Sequence, residues 1–265
     1  MHEFWANLNV GYPLFVVYGL SIIATCRIIK KVLVSLIHFL GRGFYIQMSN
    51  VEYNLSELRK EIVPYKPQII AVTKYFGVEK LIEAYNAGLR CFAENRVQDA
   101  LEKFESLPDE IKQNSVFHLI GHLQSNKVKK AVGKFDLIQS VDSLKLAQAI
   151  SQEAQNQGII QHILLQVNNA NEDAKFGFSV LDLKDVFATI LNLKGIKVDG
   201  LMNIAPITDE ETLEFLFGDM QNLKSELETK YNCQLNELSM GMSGDYKIAV
   251  KFGSTMIRIG RKLFT

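Results

Sequence analysis

Eight short, apolar, largely β-branched runs follow one another along this chain, with stretches of helical spacing between them. No other feature restricts the possible folds so strongly. The runs are Ile69–Thr73, Arg90–Ala93, Val116–Ile120, Leu137–Ser140, His162–Val167, Val198–Met202, Glu237–Met240 and Met256–Ile259. Between them, Val78-Leu81-Ile82-Tyr85, Leu144-Ala147-Ile150 with Ala154, and Leu213-Leu216-Met220-Leu223 each put apolar side chains on one helix face. Asp142 is expected to cap one helix, and Ser243-Gly244-Asp245 to open another. Strands alternating with helices imply a parallel sheet, and eight such units predict a closed TIM-type (β/α)8 barrel in the α/β class. An open doubly wound sheet would carry a glycine fingerprint in its first βα turn. Here Thr73 is followed by Lys74.

The composition excludes several other classes. With 48% hydrophobic residues, 22% charged residues and zero formal net charge, the chain has no basic stripe for nucleic acid. Its three cysteines, Cys26, Cys91 and Cys233, form no CxxC pair, which argues for a reducing, cytoplasmic compartment and against a disulfide framework. Residues 1–47 read differently from the rest. Tyr12 to Cys26 and Val32 to Leu40 are nearly continuous apolar stretches, each shorter than the ~20 residues that span a bilayer. The extension is either a membrane-associated segment or upstream sequence ahead of a start at Met48. The second reading is preferred, because MSNVEYNLSELRKEI reads as an ordinary soluble N-terminus. The expected division is thus an apolar extension, 1–47, and a barrel, 48–265.

In a barrel of this kind the polar residues collect at the C-terminal strand ends, where such folds build their sites. Lys74 follows the first strand; Glu94-Asn95-Arg96 the second; His122 to Lys127 the third. Asn168-Asn169, Asn203, Gly241 to Asp245, and Gly260-Arg261 follow later ones. A lysine amine in a desolvated pocket is favoured as the neutral nucleophile and condenses with aldehydes to a Schiff base. Ser243-Gly244 and Gly260, after strands seven and eight, suit an anion such as phosphate. Asn95 and Arg96 either line this pocket or start the next helix. Tyr75 and Tyr246 lie near the same mouth. His118 and His122 are four residues apart, but on a strand that spacing separates them by roughly 13 Å, too far to share a metal. His118 is expected inside the barrel and His122 as a hydrogen-bond donor on the rim. Cys91 reads as a buried strand residue, and Lys127, Lys129 and Lys130 as a solvated helix face.

In order along the chain stand AVTK (71–74), FAENRVQD (92–99), FHLIGHLQSNK (117–127), QVNNANEDAKFGF (166–178), GLMNIAP (200–206), LSMGMSGDY (238–246) and GSTMIRIGRKLF (253–264). Together they resemble the small pyridoxal-phosphate homeostasis proteins, related in fold to the N-terminal barrel of bacterial alanine racemase. The resemblance runs from about Ser56 to Phe264. It implies pyridoxal 5'-phosphate as cofactor, with Lys74 in aldimine linkage to its aldehyde. Ser243 and the backbone around Gly260 and Arg261 would hold the phosphate. Arg258 would lie near the pyridine nitrogen, and Met240 and Asn95 would line the pocket. The departures are small: Thr73-Lys74-Tyr75 replaces a serine-lysine-threonine pattern, Phe117 stands where tryptophan is common, and FAEN replaces FGEN. None touches the lysine or the phosphate loops.

A racemase needs acid/base groups on both faces of the substrate α-carbon. In the alanine racemases a tyrosine from a partner subunit serves the second face, supported by a separate β domain that has no counterpart here. The resemblance therefore implies a non-catalytic carrier of pyridoxal phosphate, monomeric, serving apo-enzymes that use it. A low-activity amino-acid racemase is the alternative, and an interaction module with a vestigial site is a third reading.

Overall fold

The structure, a computed structural model, describes residues 49–170, 172 and 176–265. The extension with its apolar stretches and Cys26, and part of the loop at 171–175, lie outside the described residues. In chain order the elements are α1 (Asn50–Glu61), β1 (Gln68–Val72), α2 (Val78–Asn86), β2 (Cys91–Glu94), α3 (Val97–Glu105), α4 (Asp109–Gln113), β3 (Val116–Leu119) and a 3-10 turn (Ser125–Lys127) leading into α5 (Val128–Ala131). There follow β4 (Leu137–Val141), α6 (Leu144–Gln157), β5 (Gln161–Val167), α7 (Val180–Leu191), β6 (Ile196–Asn203), α8 (Glu210–Tyr231), β7 (Glu237–Met242), α9 (Tyr246–Lys251), β8 (Met256–Ile259) and α10 (Arg261–Phe264).

The eight strands are parallel, pair in sequence order, and close when β8 pairs with β1, Ile70 lying opposite Arg258. All eight strands were expected from the sequence, within two residues at each end. Alternation along each strand sorts side chains between two cores. One set, including Ile70, Val72, Cys91, Ala93, Leu137, Leu164, Met202 and Met256, clusters inside the barrel. The other, including Ala71, Phe92, Ile138, Ile163, Leu201, Leu238, Met240 and Ile257, packs against the helices. Most strands thus bury apolar side chains on both faces, while β3 and β7 turn the polar His118 and Ser239 inward, which is why the strands read as nearly continuous runs rather than as alternating ones.

Helix starts are set by small polar caps. Ser49, Ser143, Ser179 and Asp209 accept from the backbone N–H groups of Glu52, Leu146, Asp182 and Thr212. The cap of α6 is therefore Ser143, one residue beyond the expected Asp142. Asp142 is free for another partner, the His122 ring, because its side chain sits at the barrel rim. Likewise α9 opens at Tyr246 with Asp245 before it, so Ser243 and Gly244 form the turn preceding the helix. At Gly241 φ is +94°, and a Cβ there would lie 2.7 Å from the Ala249 side chain. Only glycine lets β7 pass this close to α9. Among the described residues no helix is long and apolar enough to cross a membrane.

Candidate functional site

β1 lies between β8 and β2, with Ala71 opposite Ile259 and Val72 opposite Ala93. Lys74, Gly260 and Asn95 follow these three neighbouring strand ends, so the closed topology gathers them at one edge of the mouth. Asn95 is held close to the third strand's exit: a Cβ on Gly121 would fall 2.2 Å from the Asn95 carbonyl oxygen, so only glycine permits this approach. Lys74 itself is exposed. The desolvated pocket expected for its amine is not supplied by the protein, because Lys74 lies past the last paired strand residue. Its Nζ stands 5.0 Å from the Tyr75 ring centroid.

What precedes Lys74 is fixed more firmly. Glu94 ends β2 fully buried and accepts from Thr73 Oγ1 at 2.6 Å. Lys103, on α3, pairs with the same carboxylate and donates at 2.8 Å to the Thr73 carbonyl. A buried carboxylate is tolerable only when paired and hydrogen-bonded. Both partners of this one hold the residue before Lys74: that residue, Thr73, bonds it directly, and Lys103 also grips the Thr73 carbonyl. Sequence reasoning missed Thr73 and Lys103, since nothing in their spacing marks residues that meet only across the β1–β2–α3 junction.

Deeper in the barrel Arg258 is buried and donates to Ser239 Oγ and to the Asn203 carbonyl, each at 2.6 Å. Burial draws its guanidinium down to about 10, against a smaller opposing pull from Asp245. Burial likewise pushes the Asp245 carboxyl up, opposed by its hydrogen bond from the Met242 backbone N–H and by Arg258. Asn203 ends β6, also buried; its side-chain nitrogen donates to Asn169 Oδ1, and its Oδ1 has no partner among the described residues. Above this layer the Ser243-Gly244 turn is open, since a Cβ on Gly244 would meet nothing within 4 Å.

Other expected residues go elsewhere. Met240 is fully buried in the layer between barrel and helices, facing away from Ser239 and Arg258, and its carbonyl accepts from Ser254. It does not line the mouth with its side chain, because alternation turns every second residue of β7 outward. Arg96 starts α3, its side chain 82% exposed. Arg261 is exposed at the start of α10, so its contribution to the mouth is its backbone beside Gly260. Tyr246 is buried against α1, its hydroxyl donating to Glu61. Burial first, then that carboxylate, pushes its hydroxyl up to about 12. It is therefore no candidate base at the mouth. His118 lies inside the barrel as expected, and burial lowers its imidazole to about 4. His122 bonds Asp142 at 2.8 Å and stacks on Phe176 with ring centroids 3.7 Å apart. A cavity of about 680 Å³ lies at the opposite end of the barrel among Pro64, Pro67, Gln68, Arg90 and Cys91. None of the expected site residues borders it.

The mouth thus presents a primary amine, a fixed guanidinium, an open hydroxyl-bearing turn and an unpaired amide oxygen. That set suits an anionic molecule with an electrophilic carbonyl. Comparison with known proteins agrees in kind. The family described as alanine racemase, N-terminal domain, matches residues 46–265. Among curated relatives, the pyridoxal phosphate homeostasis protein of Aquifex aeolicus is 40% identical over 198 residues, 74% of this chain and 86% of that protein. The protein of the same name from Synechocystis is 38% identical, over 76% of this chain and 92% of its own. The chain belongs to the pyridoxal phosphate homeostasis protein family. Among solved structures, PipY of Synechococcus elongatus PCC7942, with PLP bound, superposes with a TM-score of 0.73 at 37% identity, covering 81% of this chain and all of that one. An alanine racemase of Clostridium difficile, at 16% identity and a TM-score of 0.65, shares the fold over 56% of its length.

Proposed function

We propose that this chain binds pyridoxal 5'-phosphate at the C-terminal mouth of its barrel and holds it covalently through Lys74, as a carrier in intracellular cofactor homeostasis. The observation that carries this reading is the meeting of Lys74, Asn95 and Gly260 on three adjacent strand ends above a buried arginine. A relative of 37% identity whose structure has PLP bound supports it. The residues present fit the group. The orphaned Asn203 Oδ1 calls for a donor, and Gly244 leaves an approach that no protein atom fills. Ser243, Gly244 and the Gly260-Arg261 backbone would hold the phosphate, while Asn95 would border the ring. The bound cofactor would supply a reactive aldehyde and an aromatic ring able to draw electrons.

Arg258 would sit at the ring nitrogen. A guanidinium has donors only, so it gives that nitrogen a hydrogen bond without a proton. An unprotonated ring is a weaker electron sink, which disfavours carbanion chemistry. With the Tyr246 hydroxyl committed to Glu61, that residue offers no second acid/base group. Both features support a carrier rather than a racemase. Cys91 and Cys233 are free thiols, which supports a reducing, cytoplasmic setting.

The direct test is reduction of the loaded protein with borohydride, followed by peptide mass mapping. A pyridoxyl group on Lys74 is expected, absent in Lys74→Ala; an unlabelled Lys74 in the parent protein sinks the reading. Incubation of loaded protein with L-alanine and L-serine in D₂O separates carrier from enzyme. Rapid α-deuteration that depends on Lys74 would favour the low-activity racemase.

A further inference from the structure

Arg258 is the first member of a buried chain of polar side chains that crosses the barrel interior. Its guanidinium donates to Ser239 Oγ at 2.6 Å, and the Ser239 hydroxyl donates to Gln139 Oε1 at 2.7 Å. Gln139 Nε2 lies 2.9 Å from His118 Nδ1. The His118 ring in turn touches Cys91 Sγ at 3.6 Å. These residues belong to β8, β7, β4, β3 and β2, and each is at least nine-tenths buried. One direction along the chain gives every group a partner. An arginine has no acceptor, so Ser239 must accept from it, and the Ser239 proton then goes to Gln139. That makes the near atom of Gln139 its carbonyl oxygen and the far atom its amide nitrogen. The amide then donates to His118 Nδ1, which must be unprotonated, leaving the imidazole proton on Nε2.

Gln139 thus stands at the middle of this chain, its oxygen accepting from Ser239 and its amide donating to His118, so that it bonds both neighbours at once. Without it, the Ser239 hydroxyl loses its acceptor and is free to rotate. The hydrogen bond that aims Arg258 then loses its direction. Sequence reading passed over both residues, since Gln139 and Ser239 sit in apolar strand runs one hundred positions apart.

We propose that Gln139 is a positioning residue for the cofactor site, acting through Ser239 to hold Arg258 in the orientation that meets the cofactor ring. This rests on the reading of the mouth as a pyridoxal phosphate site. Gln139 touches neither the mouth nor Lys74 in this role. Through Ser239 it fixes one of the two hydrogen bonds that orient the guanidinium, the other being to the Asn203 carbonyl, and so bears on the electronic state of whatever ring lies against it.

The test compares Gln139→Leu, Gln139→Glu and Ser239→Ala with the parent protein. The readouts are equilibrium affinity of the apo-protein for pyridoxal 5'-phosphate, the visible absorption maximum of the loaded protein with its pH dependence, and the unfolding temperature of the apo-protein. Leucine at 139 and alanine at 239 are each expected to weaken binding about tenfold, the scale of one misdirected charge-assisted hydrogen bond, and to displace the absorption band. Glutamate keeps an oxygen toward Ser239 and pairs with a protonated His118 at its other end, so it is expected to restore band position and affinity to near the parent's. If Gln139→Leu does not fold, Ser239→Ala, a single-oxygen deletion, carries the same comparison. Unchanged affinity and absorption in Ser239→Ala and Gln139→Leu, with only the unfolding temperature lowered, would show a merely structural role and overturn the proposal. So would failure of glutamate to restore either signal. A parent protein that binds no cofactor would instead remove the proposed function itself, an outcome distinct from losses confined to the variants.

Discussion

His118 is neutral in the folded barrel because its ring is sealed among apolar strands, with Gln139 and Cys91 as its polar neighbours. Its imidazole falls from an ordinary 6.5 to about 4 on folding. Between those values the unfolded chain binds a proton that the folded one refuses, so stability rises with pH through that window. Its contribution is full above pH 6.5 and is lost progressively as pH falls toward 4, amounting to on the order of 3 kcal/mol. We expect urea midpoints to drop between pH 7 and pH 4.5 in the parent protein, and to drop less in His118→Gln. Equal slopes would contradict the assignment. Cys91, pushed up to about 12 by burial, is expected to resist alkylation by iodoacetamide in native protein at pH 8, while partly exposed Cys233 reacts first. Peptide mapping of the labelled protein reads this directly.

At the scale of elements, the Thr73–Glu94–Lys103 cluster ties the end of β1 to the end of β2 and to α3. Removing one partner of a buried pair leaves the other charge unpaired, costing roughly 3–5 kcal/mol. Lys103→Met is therefore expected to lower stability on that scale, whereas Lys103→Met combined with Glu94→Gln should recover part of the loss. Because the cluster grips the residue before Lys74, we also expect the single variant to load cofactor more weakly, measured by titration against absorbance. A Lys103→Met protein as stable as the parent would show that the pair adds nothing. Tyr246 makes a parallel case at the α9–α1 contact. Its hydroxyl serves Glu61, so Tyr246→Phe should lower the unfolding temperature and leave cofactor loading unchanged.

For the molecule as a whole, closure of the sheet converts eight separate strand ends into a single mouth. Residues 48–265 form a compact unit, and we propose that they fold and bind the cofactor without the extension. A chain beginning at Met48 is expected to match the full chain in unfolding temperature and in cofactor affinity. A loss of either would assign residues 1–47 a part in the fold or the site.

Much of this was legible in the residues themselves. Strand runs largely apolar on both faces, separated by amphipathic helices, specify a parallel sheet covered on both sides, and eight such units with no glycine fingerprint after the first favour its closure into a barrel. The polar residues that follow successive strands, Lys74, Asn95 and Ser243 among them, are legible as residues of the C-terminal strand ends. Other features depended on three dimensions. Alternation turned Met240 outward, capping fell to Ser143 instead of Asp142, and Tyr246 found Glu61 across the outer layer. The polar interior from Arg258 to His118, and the Lys103 grip beneath Lys74, join residues from separate βα units. Sequence periodicity reports the environment of one element at a time. Which buried polar groups satisfy one another is decided only when the barrel closes and brings their strands into contact.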